Sequence, residues 1–399
     1  MLNFDAVVVG SGPSGLMAAQ QLSEAGHKVA ITEAMPSPGR KFLMAGKTGL
    51  NLTKNEAADV FLNQFDTPIQ LRPMLDAFGP TEVSNFALRH GQDIFTGSTG
   101  RVFPKKMKAS PLLRAWVEHL STLGVTFLKR CRWSGPLNTN HVHNFKTQEG
   151  TVQISAPVMV LALGGSSWSK LGSDGAWSAL FAEAGISITP FTAANVGMRI
   201  AWSEHMVPHF GQPLKNIRLS VAKKMSRGEC VITSTGVEGG AIYALGRELR
   251  QAAHAELDLA PQIETGLLYD MFALRNPKQS LGNFLRKYVK LDAAKRALFF
   301  ELTQPAPQTP DQMVKAVKKS QLPLLGTQPI DEAISTGGGV SWKNISPELM
   351  LNEYPGIFCA GEMLDWEAPT GGYLITACMA TGHWAGTAAA RYASAKVFL

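Results

Sequence analysis

The sequence is poor in the features that mark disulfide-rich, zinc-binding or membrane-spanning proteins. Its 399 residues include only four cysteines, Cys131, Cys230, Cys359 and Cys378, and no C-x-x-C pair. Scattered cysteines favour a reducing compartment, and they argue against both a zinc site and the redox-active dithiol of flavin disulfide reductases. No apolar run approaches the roughly 20 residues of a membrane-spanning helix, and no signal peptide is evident. We therefore expect a cytoplasmic protein with no membrane segment.

Two other kinds of site have little support in the sequence. No G-x-S-x-G turn is present, which argues against the nucleophilic serine of α/β-hydrolases. His205 and His209 have the i, i+4 spacing of metal ligands on a helix, but no third ligand is evident, so we expect no metal. His141 and His143 are expected to face solvent.

Charge is sparse but unevenly distributed. Charged residues form 17% of the chain, and the net charge is +7. Residues 191–330 hold 18 Lys and Arg against 11 Asp and Glu, while the remainder holds 20 of each, so the whole excess lies in this segment. Such a basic surface is either simply solvated or binds a polyanion or an acidic substrate. The basic clusters are Lys223–Lys224–Arg227, Arg286–Lys287–Lys290 and Lys315–Lys318–Lys319.

The most informative segment is Val7–Glu33. An apolar, β-branched run ends in a G-x-G-x-x-G pattern, and a stretch with helical spacing follows. A second apolar run, Val29 to Thr32, then ends at an acidic residue. A strand, a glycine turn, a helix, a strand and an acid in this order predict a dinucleotide-binding βαβ unit.

Each part of this unit has a physical role. Gly10 makes the tight turn, Gly12 lets a pyrophosphate approach the backbone, and Gly15 lets the helix pack on the strand. The helix N-terminus offers free N–H groups and the positive end of its dipole to the phosphates. Glu33 would accept hydrogen bonds from ribose hydroxyls. No second G-x-G-x-x-G exists, so we expect no separate nicotinamide-binding domain.

The remaining patterns predict an α/β fold with an insertion. Helical spacing predicts helices over residues 68–90 and 110–123, the second with Ser110 as N-cap and Pro111 as its first residue. Residues 131–155 alternate as a small β-meander would. Residues 191–330 break the α/β rhythm, first with alternating and then with helical stretches. We therefore expect residues 1–190 and 331–399 to form one domain, with residues 191–330 inserted as a β-rich and helical substrate domain.

Five strings carry a family resemblance. They begin at Gly39 (GRKFLMAGKTGLNLT), Gly100 (GRVFP), Leu161 (LALGGSSWSKLGSDGAW), Ile334 (ISTGGGVSWKNISPELM) and Gly356 (GIFCAGEMLDWEAPTGGYLITACMATGHWAG). With the N-terminal motif, they resemble the HI0933-like flavoprotein family, which includes BaiN/YhiN-like and aminoacetone-oxidase-like proteins. The resemblance spans nearly the whole chain and implies an FAD-binding Rossmann-type domain interrupted by an inserted β-barrel and helical domain. We expect non-covalent FAD, because no His or Cys attachment motif is evident.

The resemblance also implies which residues bind FAD. The pyrophosphate would lie against Gly10, Gly12, Pro13, Ser14 and Gly15. Glu33 and Ala34 would hold the adenosine ribose, with Arg40, Lys41 and Trp133 beside the adenosine or phosphates. Gly361 and Glu362 would contact the ribityl chain, with Gly164 at the strand-end glycine signal of the same domain. Gly371, Gly372 and Tyr373 would approach the isoalloxazine.

One loop departs from the family pattern. Residues Ala45–Asn51 read AGKTGLN, where many family members read S-G-G-G-R-C-N. The arginine and the cysteine are missing, Lys47 is introduced and Asn51 is kept. Chemistry that depends on that arginine or cysteine therefore cannot be assumed, and we expect the chain to belong to a divergent subgroup.

The sequence identifies no catalytic residue with certainty, but it offers four candidates. Lys47 would either stabilise anionic reduced flavin or be a solvated loop lysine. Asp365 would either orient substrate and transfer a proton or be an ordinary loop acid. Trp366 would line the ring pocket or belong to the core, and Asn51 lies in the same loop as Lys47.

Three functions remain open. The first is an FAD-dependent oxidoreductase that transfers hydride between flavin and a small molecule, with NAD(P)H or O2 as the other redox partner. The second is an FAD-dependent RNA-modifying enzyme that reduces a base and holds phosphates with residues 191–330. The third is a non-catalytic flavin-binding or sensor protein. Neither the substrate nor the oligomeric state can be read from the sequence.

Overall fold

The chain folds into two compact units. The computed structural model describes residues 1–47 and 49–396, so Thr48 of the AGKTGLN loop lies outside the described residues. One unit comprises Met1–Thr192 and Ser335–Leu399, and the other comprises Ala193–Ile334. These boundaries fall two and four residues after those expected from the sequence. Within the described part of the chain, no helix is both long and apolar enough to cross a membrane.

The first unit is built on a five-stranded parallel sheet. The strand order is Ile357–Cys359, Val158–Leu161, Ala6–Val9, Val29–Glu33 and Thr126–Lys129. The central strands are buried along their whole length, as expected for a parallel sheet that is covered on both faces. The predicted Rossmann-type α/β architecture is confirmed.

Two helices that are far apart in sequence meet beside this sheet. Helix Pro13–Glu24 packs against the C-terminal helix, Tyr373–Lys396. A Cβ on Gly382 would lie 2.3 Å from the carbonyl oxygen of Ser14, and a Cβ on Gly386 would lie 2.7 Å from Cα of Ala18. The small residues therefore let the two backbones touch.

Smaller sheets and further helices accompany the parallel sheet. The four-stranded sheet has the order Leu2–Asn3, Gly150–Ser155, Val142–Thr147 and Arg132–Trp133, and its last three strands form the predicted meander. The three-stranded sheet has the order Thr53–Lys54, Arg101–Pro104 and Ile94–Thr96, and Ile188–Ala194 pairs with Ser335–Val340. The other α-helices of this unit are Arg40–Ala45, Ala58–Leu62, Pro68–Ala77, Pro80–Arg89, Ala109–Thr122 and Trp177–Glu183.

The second unit begins with strands and ends with helices. Its antiparallel sheet has the order Met198–Arg199, Gly236–Glu238, Lys224–Thr233, Pro213–Val221, His254–Asp258 and Ser320–Pro323. The two edges are linked, because Arg199 donates to the carbonyl of Gly326 at 2.8 Å and accepts from the N–H of Leu325 at 2.9 Å. The α-helices are Gly240–Tyr243, Gly246–Leu249, Thr265–Ala273, Leu281–Phe284, Ala293–Leu302 and Pro310–Lys318.

Two helices differ from their sequence predictions. The stretch over residues 68–90 is two helices, Pro68–Ala77 and Pro80–Arg89, because Gly79 is extended and serves as the N-cap of the second. The Gly79 N–H donates to the carboxylate of Glu82 at 2.8 Å. The helix predicted to start at Ser110 spans Ala109–Thr122, and its N-cap is Lys108.

The expectation that His143 faces solvent is wrong. Its side chain is buried, and Nε2 lies 3.2 Å from the carbonyl oxygen of Ala156. Burial lowers the pKa of His143, which favours the neutral imidazole. The alternation of its strand, in which Phe145 is buried on the same face, is the signal that identifies this position as inward-facing.

Candidate cofactor-binding site

The glycine turn after the first strand has a tightly packed side and an open side. Gly10 has a φ of +102°, and a Cβ there would lie 2.3 Å from the carbonyl oxygen of Ala162. A Cβ on Gly15 would lie 1.9 Å from the carbonyl oxygen of Gly10. A Cβ on Gly12, in contrast, would meet no atom within 4 Å. Of these three glycines, Gly12 is the one that borders free space, as a residue beside a bound ligand must.

The same glycine lies at the start of a helix. Gly12 is the N-cap of Pro13–Glu24 and provides no side-chain cap, and Pro13 has no N–H to satisfy. The first free N–H groups of this helix, from Ser14 onward, are available to an external acceptor. Free space beside uncapped N–H groups fits an anionic group such as a pyrophosphate.

Glu33 is held in place at the end of the second parallel strand. One carboxylate oxygen accepts from the N–H of Met35 at 2.7 Å. The other accepts from the N–H of Ser11 at 3.3 Å and from the Ser11 hydroxyl. Ala34, between Glu33 and Met35, is half-buried. The acid is thus oriented by the glycine turn itself, and its remaining lone pairs are what a ribose hydroxyl would use.

A second acid joins the two ends of the chain. Glu362 Oε2 lies 2.7 Å from Nζ of Lys41, and Oε1 accepts from the N–H of Thr336 at 3.0 Å. Lys41 also donates to the hydroxyl of Ser167 at 2.8 Å. Gly361, at a φ of +85°, packs so closely on the first helix that its Cβ would lie 2.1 Å from Oγ of Ser14. The N-terminal and C-terminal motifs are therefore neighbours, as the predicted FAD site requires.

Three of the residues predicted to lie near FAD have buried polar atoms without a partner among the described residues. These atoms are Nε of Arg40, Oδ1 of Asn51 and Nε1 of Trp133. Buried polar groups are almost always hydrogen-bonded in folded proteins. Unmatched donors and acceptors on these residues fit a polar cofactor, and which of them bind FAD stays a prediction.

Gly371 and Gly372 lead into the C-terminal helix and are tightly enclosed. Their φ values are +136° and +99°, and a Cβ on Gly372 would lie 2.4 Å from Cα of Thr53. Tyr373 is buried, and its ring lies 4.7 Å from that of Phe61. Its hydroxyl donates to Glu56 Oε1 at 2.7 Å and accepts from Lys54 Nζ at 2.9 Å. Burial and Glu56 together raise the pKa of Tyr373, so the phenol stays protonated.

The structure separates the four catalytic candidates. Lys47 is exposed, and Asn51 is half-buried. Asp365 Oδ2 accepts from the Thr189 hydroxyl at 2.6 Å, so that acid already has a partner. Trp366 is buried in the core and donates to the carbonyl of Gly361 at 2.9 Å. The exposure of Lys47 favours its interpretation as a solvated loop lysine. The burial of Trp366 favours its interpretation as a core residue.

Some polar residues of the site carry no sequence motif strong enough to identify them. Lys54, Glu56 and Ser167 enter the site through hydrogen bonds to residues more than a hundred positions away. Thr336 enters it through a backbone hydrogen bond to Glu362, 26 residues further on. Gly164, which sequence reasoning did identify, has a φ of +72° and accepts from Trp177 Nε1 at 3.0 Å.

Burial determines the state of the thiols. All four cysteines are free. Desolvation raises the pKa of Cys131 to about 11 and the pKa of Cys230 to about 12. Burial, together with the nearby Glu362 carboxylate, raises the pKa of Cys378 to about 12, and burial raises the pKa of Cys359 further. Neutral, buried thiols are poor nucleophiles and poor redox groups.

The basic residues of the second unit are only partly available to a polyanion. Lys318 is buried, and its Nζ lies 2.8 Å from Asp258 and also donates to two backbone carbonyls. Arg218 pairs with the same Asp258 at 2.9 Å, and Lys224 pairs with Glu248 at 2.7 Å. Lys295 is buried and donates to the backbone carbonyls of Asn216 and Leu259. In two of the three predicted basic clusters, one cation, Lys224 or Lys318, is therefore paired with an acid of the protein.

Comparisons with known proteins agree with this geometry. A family model described as the HI0933-like protein Rossmann domain matches residues 4–388. The chain is 26% identical over 410 aligned positions to a 3-dehydro-bile acid delta(4,6)-reductase of Clostridium scindens, covering 96% of this chain and 98% of that protein. It is 23% identical over 389 positions to a ribosomal RNA dihydrouridine synthase of Escherichia coli, covering 94% of each.

A solved structure shares the fold. The 3-ketosteroid-delta4-(5alpha)-dehydrogenase from Rhodococcus jostii RHA1 superposes with a TM-score of 0.52 at 16% identity. The superposition covers 98% of this chain and 97% of that chain.

Proposed function

This chain belongs to the HI0933-like Rossmann-domain family and is an FAD-dependent oxidoreductase, and from this premise we propose that it saturates a carbon–carbon double bond conjugated to a carbonyl group. Hydride would pass from reduced FAD to the substrate. NAD(P)H would supply the electrons.

The observation that carries the proposal is a bond change shared by two relatives with unlike substrates. The bile-acid reductase is named for double bonds that are conjugated to a 3-oxo group. Forming dihydrouridine saturates the ring bond conjugated to a uracil carbonyl. Both resemblances extend over more than nine-tenths of this chain. A common reaction with a variable substrate is the simplest account of both.

The described residues support a site for FAD, which supplies the hydride chemistry when bound. Gly12 and the start of its helix would hold the pyrophosphate, and Glu33 would hold the adenosine ribose. Glu362, oriented by Lys41 and Thr336, would accept from ribityl hydroxyls. The buried thiols would take no part in electron transfer.

The proposed electron donor follows from the number of dinucleotide motifs. The sequence has one G-x-G-x-x-G, and the free space beside Gly12 supports its use for FAD. A nicotinamide would therefore dock transiently over the flavin, exchange hydride and leave before the substrate binds.

An anaerobic two-step experiment tests the proposal. FAD-loaded protein is mixed with NADH or NADPH, and bleaching of the flavin absorbance is followed. The reduced protein is then mixed with a conjugated enone such as 4-androstene-3,17-dione or with uridine. We expect reoxidation without oxygen and a product that lacks the double bond. Reoxidation by O2 alone, across a panel of enones, would instead support an oxidase.

Release of the cofactor tests the non-covalent state. Heating or acid treatment should transfer yellow FAD from the protein to the supernatant. Flavin that stays with the precipitate, or a supernatant that contains FMN, would contradict the assignment.

Reduction of a base in RNA is the second candidate, and the relative from Escherichia coli favours it. Exposed cations such as Arg286, Lys287 and Lys290 could contact phosphates. Filter binding of structured RNA at two salt concentrations separates the candidates. Binding through phosphates falls with a log–log slope of roughly −0.7 per single-strand phosphate neutralised. Absence of binding at low salt leaves the small-molecule reaction.

A further inference from the structure

Two cations lie side by side on the small sheet next to Gly372. Strand Thr53–Lys54 pairs antiparallel with strand Arg101–Pro104, and Lys54 is directly opposite Arg101. Like charges in directly opposite positions destabilise a strand pair unless other groups compensate them. We therefore asked which neighbouring groups neutralise each of the two cations.

Lys54 is compensated. Its ammonium lies 2.7 Å from Glu56 Oε2 and donates to the Tyr373 hydroxyl at 2.9 Å. Tyr373 in turn donates to the other oxygen of Glu56 at 2.7 Å. These three side chains form a closed ring of hydrogen bonds with no net charge, and they join the strand to the start of the C-terminal helix.

Arg101 is not compensated. Among the described residues, no carboxylate lies within 4 Å of its guanidinium, and the side chain is exposed. Its Nε lies 4.0 Å from the position that a Cβ on Gly371 would occupy. The nearby N-terminus of the C-terminal helix adds positive potential of its own. An unpaired cation thus lies beside the glycine pair that is expected to approach the isoalloxazine.

We propose that Arg101 binds an anionic oxygen of the substrate. The proposal rests on the proposed reduction of a conjugated carbonyl compound. When hydride from the reduced flavin forms the new C–H bond at the β-carbon, the π electrons move onto the carbonyl oxygen and the flavin is oxidised. A proton from solvent then adds to the α-carbon, and the carbonyl is restored. Arg101 donates hydrogen bonds to the oxygen while it carries this charge. A carboxylate on the substrate would bind Arg101 by the same chemistry.

Binding of two test anions, measured without turnover, distinguishes an enolate oxygen from a carboxylate as the group that Arg101 binds. 4-Nitrophenolate is a planar oxyanion and represents the enolate, whereas fumarate represents a permanent carboxylate. Their dissociation constants are measured for oxidised, FAD-loaded protein from changes in the nitrophenolate and flavin spectra. The variants are Arg101→Gln, Arg101→Lys and the control Lys105→Gln. Lys105 directly follows the same strand, is exposed and pairs with Asp93 at 3.5 Å.

We expect Arg101→Gln to weaken binding of at least one anion by about 10-fold to 100-fold, the range for charge-assisted hydrogen bonds. Arg101→Lys should recover only part of the affinity, because an ammonium lacks the planar fork of a guanidinium. Lys105→Gln should bind both anions like the wild type. Loss confined to nitrophenolate identifies the enolate oxygen, and loss of fumarate binding identifies a carboxylate.

Equal affinities in wild type and Arg101→Gln, or no binding of either anion to the wild type, would overturn the proposal. FAD content and Tm are recorded for each variant, so that a folding defect is not mistaken for a lost contact. If Arg101→Gln does not retain FAD, the comparison of Arg101→Lys with Lys105→Gln decides. Arg101-dependent anion binding in a protein that reduces no enone would reject the proposed reaction and leave the anion site standing.

Discussion

At the residue scale, the glycines of the first turn serve two different purposes. Two of them are needed for packing of the fold, and one leaves room for a ligand. Gly10 and Gly15 have no room for a side chain, so the fold itself requires them. Gly12 has a φ of −73°, and a Cβ there would meet no atom within 4 Å, so packing does not require a glycine at this position. A ligand that approaches the backbone would require one.

Gly12→Val should therefore give folded protein that does not bind FAD. The new side chain would fill the space beside the uncapped helix start without displacing any protein atom. The measurements are flavin absorbance of the purified protein and its circular dichroism. Gly15→Ala is the contrasting variant, because its Cβ would overlap the Gly10 carbonyl and it should lose the fold as well. Fully yellow Gly12→Val protein would show that the phosphates lie elsewhere.

The Lys41–Glu362 pair should contribute to FAD binding as a unit. Lys41→Met leaves the Glu362 carboxylate without its cation and should weaken FAD binding, whereas adding Glu362→Gln should cost less than the two single effects together. Residues in one hydrogen-bond network typically couple by about 0.5–3 kcal/mol. The coupling is obtained from FAD dissociation constants of the four proteins. Arg72→Met, which breaks the exposed pair with Asp59, is the control and should leave FAD affinity unchanged. Strict additivity would mean that the pair is not part of the site.

The thiols should be inert in the folded protein. A pKa near 11 leaves about one thiolate per thousand at pH 8, and thiolate is the reactive form. Because burial raises the pKa, reactivity with DTNB should stay low near pH 8 and rise only as the pH approaches 11. All four thiols should react once guanidinium unfolds the chain.

A variant with four Cys→Ala changes should retain flavin reduction by nicotinamide. Alanine is preferred to serine because it places no hydroxyl in the buried strand position of Cys359. Folded, FAD-loaded protein that has lost this half-reaction would reveal a redox thiol.

At the scale of single elements, the sequence predicts periodic and motif-bearing segments well and segment ends poorly. The parallel strands are evident because their buried faces require continuous apolar runs. Residues 68–90 have one apolar stripe, yet Gly79 and Pro80 break the helix locally. Ser110 has the chemistry of an N-cap, but Lys108 takes that place because the backbone is already helical at Ala109. The spacing of apolar residues does not show which residue will begin or end a helix.

The residues of the candidate site also divide into those that a motif predicts and those that it does not. Glu33 ends a strand, Glu362 lies shortly after one, and both belong to motifs, so their positions follow from the sequence. Lys54 and Glu56 meet Tyr373 only through the packing of the last helix on a short strand, and the pairing of that strand brings Arg101 near Gly371. No local pattern predicts a pairing across more than 300 residues.

The contact between the first and last helices should control FAD binding from a distance. Gly386→Leu would force side-chain atoms into Ala18, which lies on the first helix one turn beyond the predicted phosphate site. Overpacking of this kind typically destabilises by about 1–3 kcal/mol. We expect a lower Tm and weaker FAD binding. Ala395→Leu, an exposed position on the same helix, is the matched control and should change neither. Normal FAD affinity in Gly386→Leu protein would show that the contact between the two helices does not affect the predicted phosphate site.

At the scale of the whole molecule, FAD should stabilise one unit and not the other. Each unit has its own buried core, and every residue predicted to bind FAD lies in the first. At a free FAD concentration 100 times the Kd, binding should stabilise that unit by about 2.7 kcal/mol. We expect calorimetry to resolve two transitions, of which FAD raises one. A single transition that shifts as a whole would show that the units unfold together.

The meeting of helix Pro13–Glu24 with helix Tyr373–Lys396 also has a consequence for synthesis. A ribosome makes the first helix early and the second some 360 residues later. At about 5–20 residues per second, the interval is roughly 20 to 70 s. Throughout that interval the face formed by Ser14 and Ala18 lacks its partner, and Glu362 does not yet exist. Nascent chains must therefore wait for their last helix before they can retain flavin, and during that wait the uncovered helix face is exposed to chaperones and to neighbouring chains.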